Sequence, residues 1–228
     1  MDAAIRAGIY VIIDWHSHLA EQRPGEAIAF FSEMASIYGQ TPNVIFEIYN
    51  EPKQSSWADI RSYANTVAAA IRSKNARNLI IVGTPQWSQM VNEAADNPVD
   101  DGNVAYALHF YAATHRQELR DKALYALEKG VPLFVSEFGT CRSDGDGDYD
   151  FVESDRWLQF IDSHGLSWVN WSLFNKPEKA SLLNSWAGSQ GNWSDGDLTA
   201  SGHYLRGRLW QDARQDRHRG SQHAHPRP

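Results

Sequence analysis

Two glutamates end two different apolar, β-branched runs: Glu51 in Ile48-Tyr49-Asn50-Glu51-Pro52 and Glu137 in Phe134-Val135-Ser136-Glu137-Phe138-Gly139. A pair of carboxyls facing each other suits acetal cleavage, as in a glycosidic bond. One gives a proton to the departing oxygen while the other meets the positive charge that develops on carbon. The two tasks need opposite protonation states. His109 and Tyr111 stand two residues apart on one face of a third run. A tyrosine hydroxyl there can donate to a carboxylate and keep it ionised, and a histidine can orient or recharge the other. Asn50 offers an amide for a sugar hydroxyl, and Trp171 offers a flat apolar floor for a sugar ring. Glu47 shares the parity of Glu51 but lies deeper in its run, and reads as an interior polar residue. A metal-dependent site with His16, Glu51, His109 and Glu137 as ligands is the competing chemistry.

Positioning these groups at one edge requires a sheet. Strands are expected over Ile9–His16, Val44–Glu51, Leu79–Gly83, Val104–Tyr111, Leu133–Phe138 and Trp168–Leu173, each continuously apolar and followed by loop residues. Between them, Glu26–Tyr38 and Trp57–Lys74 carry apolar residues at helical spacing, with weaker helical patterns at Trp87–Ala95, Arg116–Lys129, Tyr149–Ser163 and Gly202–Ala213. Strand and helix in alternation imply an α/β fold with parallel strands. An open nucleotide-binding sheet normally carries a glycine-rich turn after its first strand, and Asp14-Trp15-His16-Ser17 is not one. The reactive side chains His16, Glu51, His109, Glu137 and Trp171 recur at strand C-termini, at intervals of one or two strand–helix units of roughly 30 residues. A closed barrel builds its site at that edge. Six strands are counted where a closed barrel has eight, so about two units are expected to be missing at the N-terminus.

The 228 residues make one domain's worth of chain, with 42% hydrophobic residues, enough to bury a sizeable core. With 28 acidic against 21 basic side chains and a net charge of −7, a phosphate backbone is a poor partner. No apolar stretch approaches the roughly 18 residues of a membrane span, and the N-terminus lacks a secretory signal pattern. A single cysteine, Cys141, rules out an intrachain disulfide. Nine tryptophans are many for this length, and some are expected to serve as sugar platforms.

Asp14-Trp15-His16, Tyr49-Asn50-Glu51-Pro52, His109-Phe110-Tyr111-Ala112, Ser136-Glu137-Phe138-Gly139 and Asn170-Trp171-Ser172-Leu173 resemble, in order and spacing, the strand-end motifs of glycoside hydrolase family 5, in particular its bacterial endoglucanase (cellulase) branch. The resemblance runs from Ala3 to about Trp210. It implies a (β/α)8 TIM barrel that hydrolyses β-1,4-glucan with retention, with no cofactor and no metal, acting as a monomer on a polysaccharide. By motif, Glu51 is similar to the acid/base and Glu137 to the nucleophile, so Glu51 is expected to have a raised pKa. Asn50 matches the contact to the sugar 2-hydroxyl, and His16, His109, Tyr111 and Trp171 match the remaining site positions. Trp87 looks like the platform on the leaving-group side, and Lys176 and Glu178 like polar contacts on the non-reducing side. Family members also carry an arginine at the end of the second strand that holds the nucleophile ionised. Nothing in this sequence supplies it, so hydrolysis of soluble cellulose by this chain is expected to be weak or absent. A mannan- or xylan-cleaving barrel and an inactive glucan-binding barrel are the alternatives.

The barrel domain is expected over residues 1–213, followed by a disordered basic tail over 214–228, rich in Arg and His and almost free of apolar residues. A full-length relative is expected to be secreted. Asp144-Gly145-Asp146-Gly147-Asp148 resembles a calcium loop but places Tyr149 where the sharp-turn glycine would stand, and reads as a polar loop.

Overall fold

The structure, a computed structural model, describes the backbone of residues 1–222 and the side chains of residues 1–214. Six strands form one sheet in the sequential order β1 to β6: β1 Val11–Asp14, β2 Val44–Tyr49, β3 Ile80–Val82, β4 Val104–Tyr111, β5 Leu133–Gly139 and β6 Ser167–Trp168. The registered pairs are parallel. Each strand lies beside its predecessor, with no reversal of order. That is the progression of a β/α barrel wall; a doubly wound sheet reverses direction at a switch point. The helices are α1 Asp2–Ala7, α2 Pro24–Tyr38, α3 Trp57–Arg72, α4 Pro85–Ser88, α5 Val91–Asp96, α6 Gln117–Glu128, α7 Phe151–His164 and α8 Ala200–Gln222.

The chain divides into two compact units. The first comprises Met1–Phe110, His115–Phe138 and Leu158–Val169, and the second Tyr111–Thr114, Gly139–Trp157 and the chain from Asn170.

In the first unit, α3 shows why these residues become helix. Ser56 caps it by accepting the backbone N–H of Asp59 at 3.2 Å, a bond worth about 1 kcal/mol. Trp57, Ile60, Ala64, Val67 and Ile71 then bury one stripe. Tyr63, beside that stripe, donates its hydroxyl to the Ile48 carbonyl at 2.7 Å and ties the helix to β2. Helix α2 begins on Pro24, whose missing N–H costs nothing at a first turn, and buries Ala27, Phe31 and Ala35.

Side-chain alternation builds the interior of the sheet in layers. Ile45, Ile81 and Ala107 form an apolar cluster against Ile12, Leu79 and Phe134. Two residues further along their strands stand Glu47, Gly83, His109, Asp14 and Ser136. A polar layer therefore sits on an apolar one, at the C-terminal side of the sheet.

Differences from the expected elements have local causes. The strand expected over Trp168–Leu173 is two residues long because Ser172 pairs with a loop: its N–H donates to the Ala180 carbonyl, and its own carbonyl accepts from Leu182. The helix expected over Trp87–Ala95 is two short pieces, since Gln86, Trp87 and Ser88 take left-handed φ of 55°, 58° and 58°. The tail expected to be disordered from Arg214 meets a helix whose backbone continues to Gln222. Residues 223–228 of that tail lie outside the described residues.

Candidate active site

Strand β2 runs on into Asn50, Glu51 and Pro52, and the close packing of β3 fixes that corner. A Cβ on Gly83 would lie 2.3 Å from the Tyr49 carbonyl oxygen and 2.9 Å from that of Asn50, so only glycine lets the chain after β3 lie against it. The Asn50 carbonyl accepts the Ser88 hydroxyl at 2.7 Å, and the Pro52 carbonyl accepts the Trp87 N–H at 2.9 Å. These bonds hold the left-handed turn that presents Trp87, half of whose ring surface stays open. Left-handed φ in a non-glycine residue costs about 1–3 kcal/mol, and such turns cluster where a side chain must be aimed.

Glu51, His109 and Glu137 converge from β2, β4 and β5, with one donor atom of each within 4.8 Å of the others. Glu137 is buried, His109 is fully enclosed, and the Glu51 side chain keeps 14% of its surface. The His109 Nδ1 lies 3.0 Å from Glu51 Oε1, and its Nε2 lies 2.9 Å from Ser136 Oγ. Ser136 in turn donates to Glu47 Oε1 at 2.5 Å. Burial works against charge on His109, but its hydrogen bonds toward Glu47 and Glu51 and the negative charges of Glu137 and Glu47 push it up to about 10. As an imidazolium it donates from both nitrogens. Of the four residues of the metal-ligand reading, Glu51, His109 and Glu137 come together, while His16 pairs with Asp14.

The raised pKa expected for Glu51 is corrected by this geometry. Burial does push the carboxyl up, yet the His109 hydrogen bond and the charges of His109, His18 and His16 outweigh it and hold Glu51 below the ordinary value. His18 donates Nδ1–H to the Glu51 backbone carbonyl at 2.8 Å, and His16 places its Nδ1 2.8 Å from Asp14 Oδ2. Asp14 is pushed up to about 7 by burial and by the charge of Glu47, against the bond and charge of His16 and the charge of His109. The Asn50 amide nitrogen is buried and has no hydrogen-bond partner among the described residues, as a group kept for a ligand oxygen would be.

Sequence reasoning missed His18, Asp14, His115 and the Ser136–Glu47 link. His115 is pushed down to about 4 by burial, with the Glu51 charge raising it and Lys122 lowering it further, so it is neutral at pH 7. The short spacing of His16 and His18 was the one visible signal.

Of the other expected site residues, Tyr111, Trp171, Lys176 and Glu178 belong to the second unit. Tyr111 packs there with Cys141 and Ala180, and Gly139 is glycine because a Cβ would lie 2.4 Å from the Tyr111 ring. Trp171 keeps 38% of its surface open. Lys176 and Glu178 pair at 2.5 Å.

The cellulase (glycosyl hydrolase family 5) family model matches residues 1–177. The chain belongs to glycosyl hydrolase family 5. Endoglucanase A of Evansella cellulosilytica is 46% identical over 220 residues, which cover 93% of this chain and 45% of that protein. A solved structure from Cytophaga hutchinsonii is 50% identical with a TM-score of 0.91, covering 92% of this chain and 70% of that one. The catalytic domain of Thermobifida fusca endoglucanase Cel5A, in a variant solved with cellotetraose, is 36% identical with a TM-score of 0.86, covering 92% and 72%. This family 5 chain thus spans about half the length of the curated relatives it matches. No described helix is long and apolar enough to cross a membrane.

Proposed function

We propose that this chain carries the catalytic centre of a retaining endo-β-1,4-glucanase, with Glu137 as nucleophile and Glu51 as acid/base. The observation that carries the reading is the approach of the two carboxylates to within 4.8 Å from different strands. One oxygen of each at that range suits the roughly 5–5.5 Å carboxyl separation of retaining enzymes better than the about 6.5–9.5 Å of inverting ones. Support for the substrate comes from the endoglucanase relatives and the cellotetraose complex of a neighbour.

Glu137 attacks the anomeric carbon and forms an ester bond as the bond from that carbon to the leaving oxygen breaks. Glu51 protonates the leaving oxygen, then takes a proton from the water that hydrolyses the ester. Asn50 meets the 2-hydroxyl through its unpartnered amide. Trp87 stacks on a sugar ring beside the cleavage point, with His16 and His109 around the carboxylates. By the family resemblance Tyr111, Trp171, Lys176 and Glu178 are further substrate contacts. A glucan polymer is too large to be taken up whole, so the protein that bears this site acts outside the cell, as a monomer.

The test is hydrolysis of carboxymethyl-cellulose, with mannan and xylan as comparisons, following the anomeric protons of the products by NMR. Release of β-anomer by the wild type, lost in both Glu51→Gln and Glu137→Gln, supports the reading. Binding of glucan with no product would make the chain a glucan-binding barrel, and a preference for mannan or xylan would move the substrate assignment.

A further inference from the structure

Glu47 has no place in the mechanism above, yet it is 3% exposed and lies on β2, four residues before Glu51. A buried carboxylate needs a compensating donor, and Ser136 on β5 supplies it at 2.5 Å, with His109 Nε2 further off at 3.9 Å. Ser136 has one hydroxyl proton. Spent on Glu47, it leaves the oxygen as an acceptor facing His109 Nε2 at 2.9 Å, so Nε2 must carry a proton. The other ring nitrogen, Nδ1, lies 3.0 Å from Glu51 Oε1. An unbroken line runs Glu47, Ser136, His109, Glu51, across three strands, with one mobile proton at its Glu51 end.

We propose that Glu47, acting through Ser136, is a positioning residue that keeps His109 charged and so holds in reserve, on the His109–Glu51 pair, the proton the leaving group will take. In the open site the proton rests on Nδ1 and Glu51 is a carboxylate. A sugar ring that strips water from Glu51 disfavours the two opposite charges and moves the proton from Nδ1 to Oε1. His109 becomes the neutral tautomer, with Nε2–H still bonded to Ser136 and Nδ1 accepting from the Glu51 hydroxyl. Glu51 then gives that proton to the leaving oxygen, and the later proton from water returns to the pair. The alkaline limit of catalysis is where the pair loses its only proton, and the charge of Glu47 sets it.

The other groups facing this line are Glu137 from β5, whose charge acts on His109, and Asp14 from β1, which feels both Glu47 and His109. Around Glu51 are His16, His18 and His115.

The proposal rests on the glycosidase reading for its catalytic half and can be tested apart from it. His109 is titrated by NMR of the ring nitrogens in the full chain, alone and as Glu47→Gln, Ser136→Ala and Ser136→Thr. Removing an opposite charge at this range shifts a titration by about 1–3 pH units. Glu47→Gln and Ser136→Ala should both move the His109 midpoint to lower pH by at least about one unit, while Ser136→Thr, which keeps the hydroxyl, restores it. If Glu47→Gln fails to fold, the Ser136 pair decides. A His109 midpoint unmoved in folded Glu47→Gln, or in folded Ser136→Ala, overturns the proposal. The alkaline limb of kcat/KM should move with the midpoint; a shifted midpoint with an unshifted limb overturns the catalytic half. If no glucan is hydrolysed at all, the catalytic half fails for this chain and the titration still decides whether Glu47 holds the charge.

Discussion

Gly83→Ala tests whether backbone packing positions the acid/base. A Cβ at this position meets the Tyr49 carbonyl oxygen at 2.3 Å, Pro52 Cδ at 2.8 Å and the Asn50 carbonyl oxygen at 2.9 Å, where ordinary contact begins at 3.4 Å. Two of the three neighbours are backbone atoms, so no rotamer change relieves the clash. The corner that carries Glu51 has to retreat by about 1 Å. Overpacking of this kind costs about 1–3 kcal/mol. Moving a reacting group by about 1 Å costs roughly 10²-fold in rate. The assay is urea unfolding alongside hydrolysis of carboxymethyl-cellulose, with Gly25→Ala as control. Gly25 sits in the first turn of α2 with nothing within 4 Å of its added carbon, and alanine there should be neutral or stabilise by up to about 1 kcal/mol. A Gly83→Ala protein as stable and as active as the wild type would refute the reasoning.

His109 makes stability depend on alkaline pH. Its folded pKa of about 10 lies above the ordinary 6.5, so the stabilisation is full below about pH 6.5 and is lost as pH rises through 10. Urea midpoints measured from pH 6 to 10.5 should fall between about pH 6.5 and 10 and level off above, and a flat profile would contradict it. Trp87→Ala removes a half-open ring held by backbone bonds. It should weaken cello-oligosaccharide binding by about tenfold with a small change in stability, read by calorimetry and thermal melting. Phe31→Ala empties a fully buried site packed against Phe30 and Phe46, and should cost about 3–5 kcal/mol in urea unfolding.

Much of the scaffold was legible because apolar β-branched runs and helical stripes leave unambiguous periods. Strand β4 was expected over Val104–Tyr111 and is found there, and the helix expected to start at Trp57 does so. The misplaced elements are those whose backbone bonds go to distant loops, which no local period records. Trp87 is the clearest instance: its turn is fixed by Pro52, thirty-five positions away. The recurrence of Glu51, His109 and Glu137 at the ends of apolar runs was readable, but their convergence was not: alternation alone would turn Glu137 away from the face of its neighbour Ser136, and β2 shifts register between Glu47 and Tyr49. The sign of the Glu51 shift was not, because burial and the His109 bond act in opposite directions and only coordinates say which prevails. Likewise, alternation could put Glu47 inside the barrel but could not name Ser136, eighty-nine positions on, as its donor.

The division of labour between Glu137 and Glu51 can be measured directly by treating the chain with an activated 2-deoxy-2-fluoro-cellobioside and mapping the adduct by peptide mass spectrometry. The account predicts a single cellobiosyl-sized mass on the peptide that contains Glu137, absent in Glu137→Gln and retained in Glu51→Gln. Label on Glu51 or on any other residue, or products of inverted configuration from the natural substrate, would contradict it.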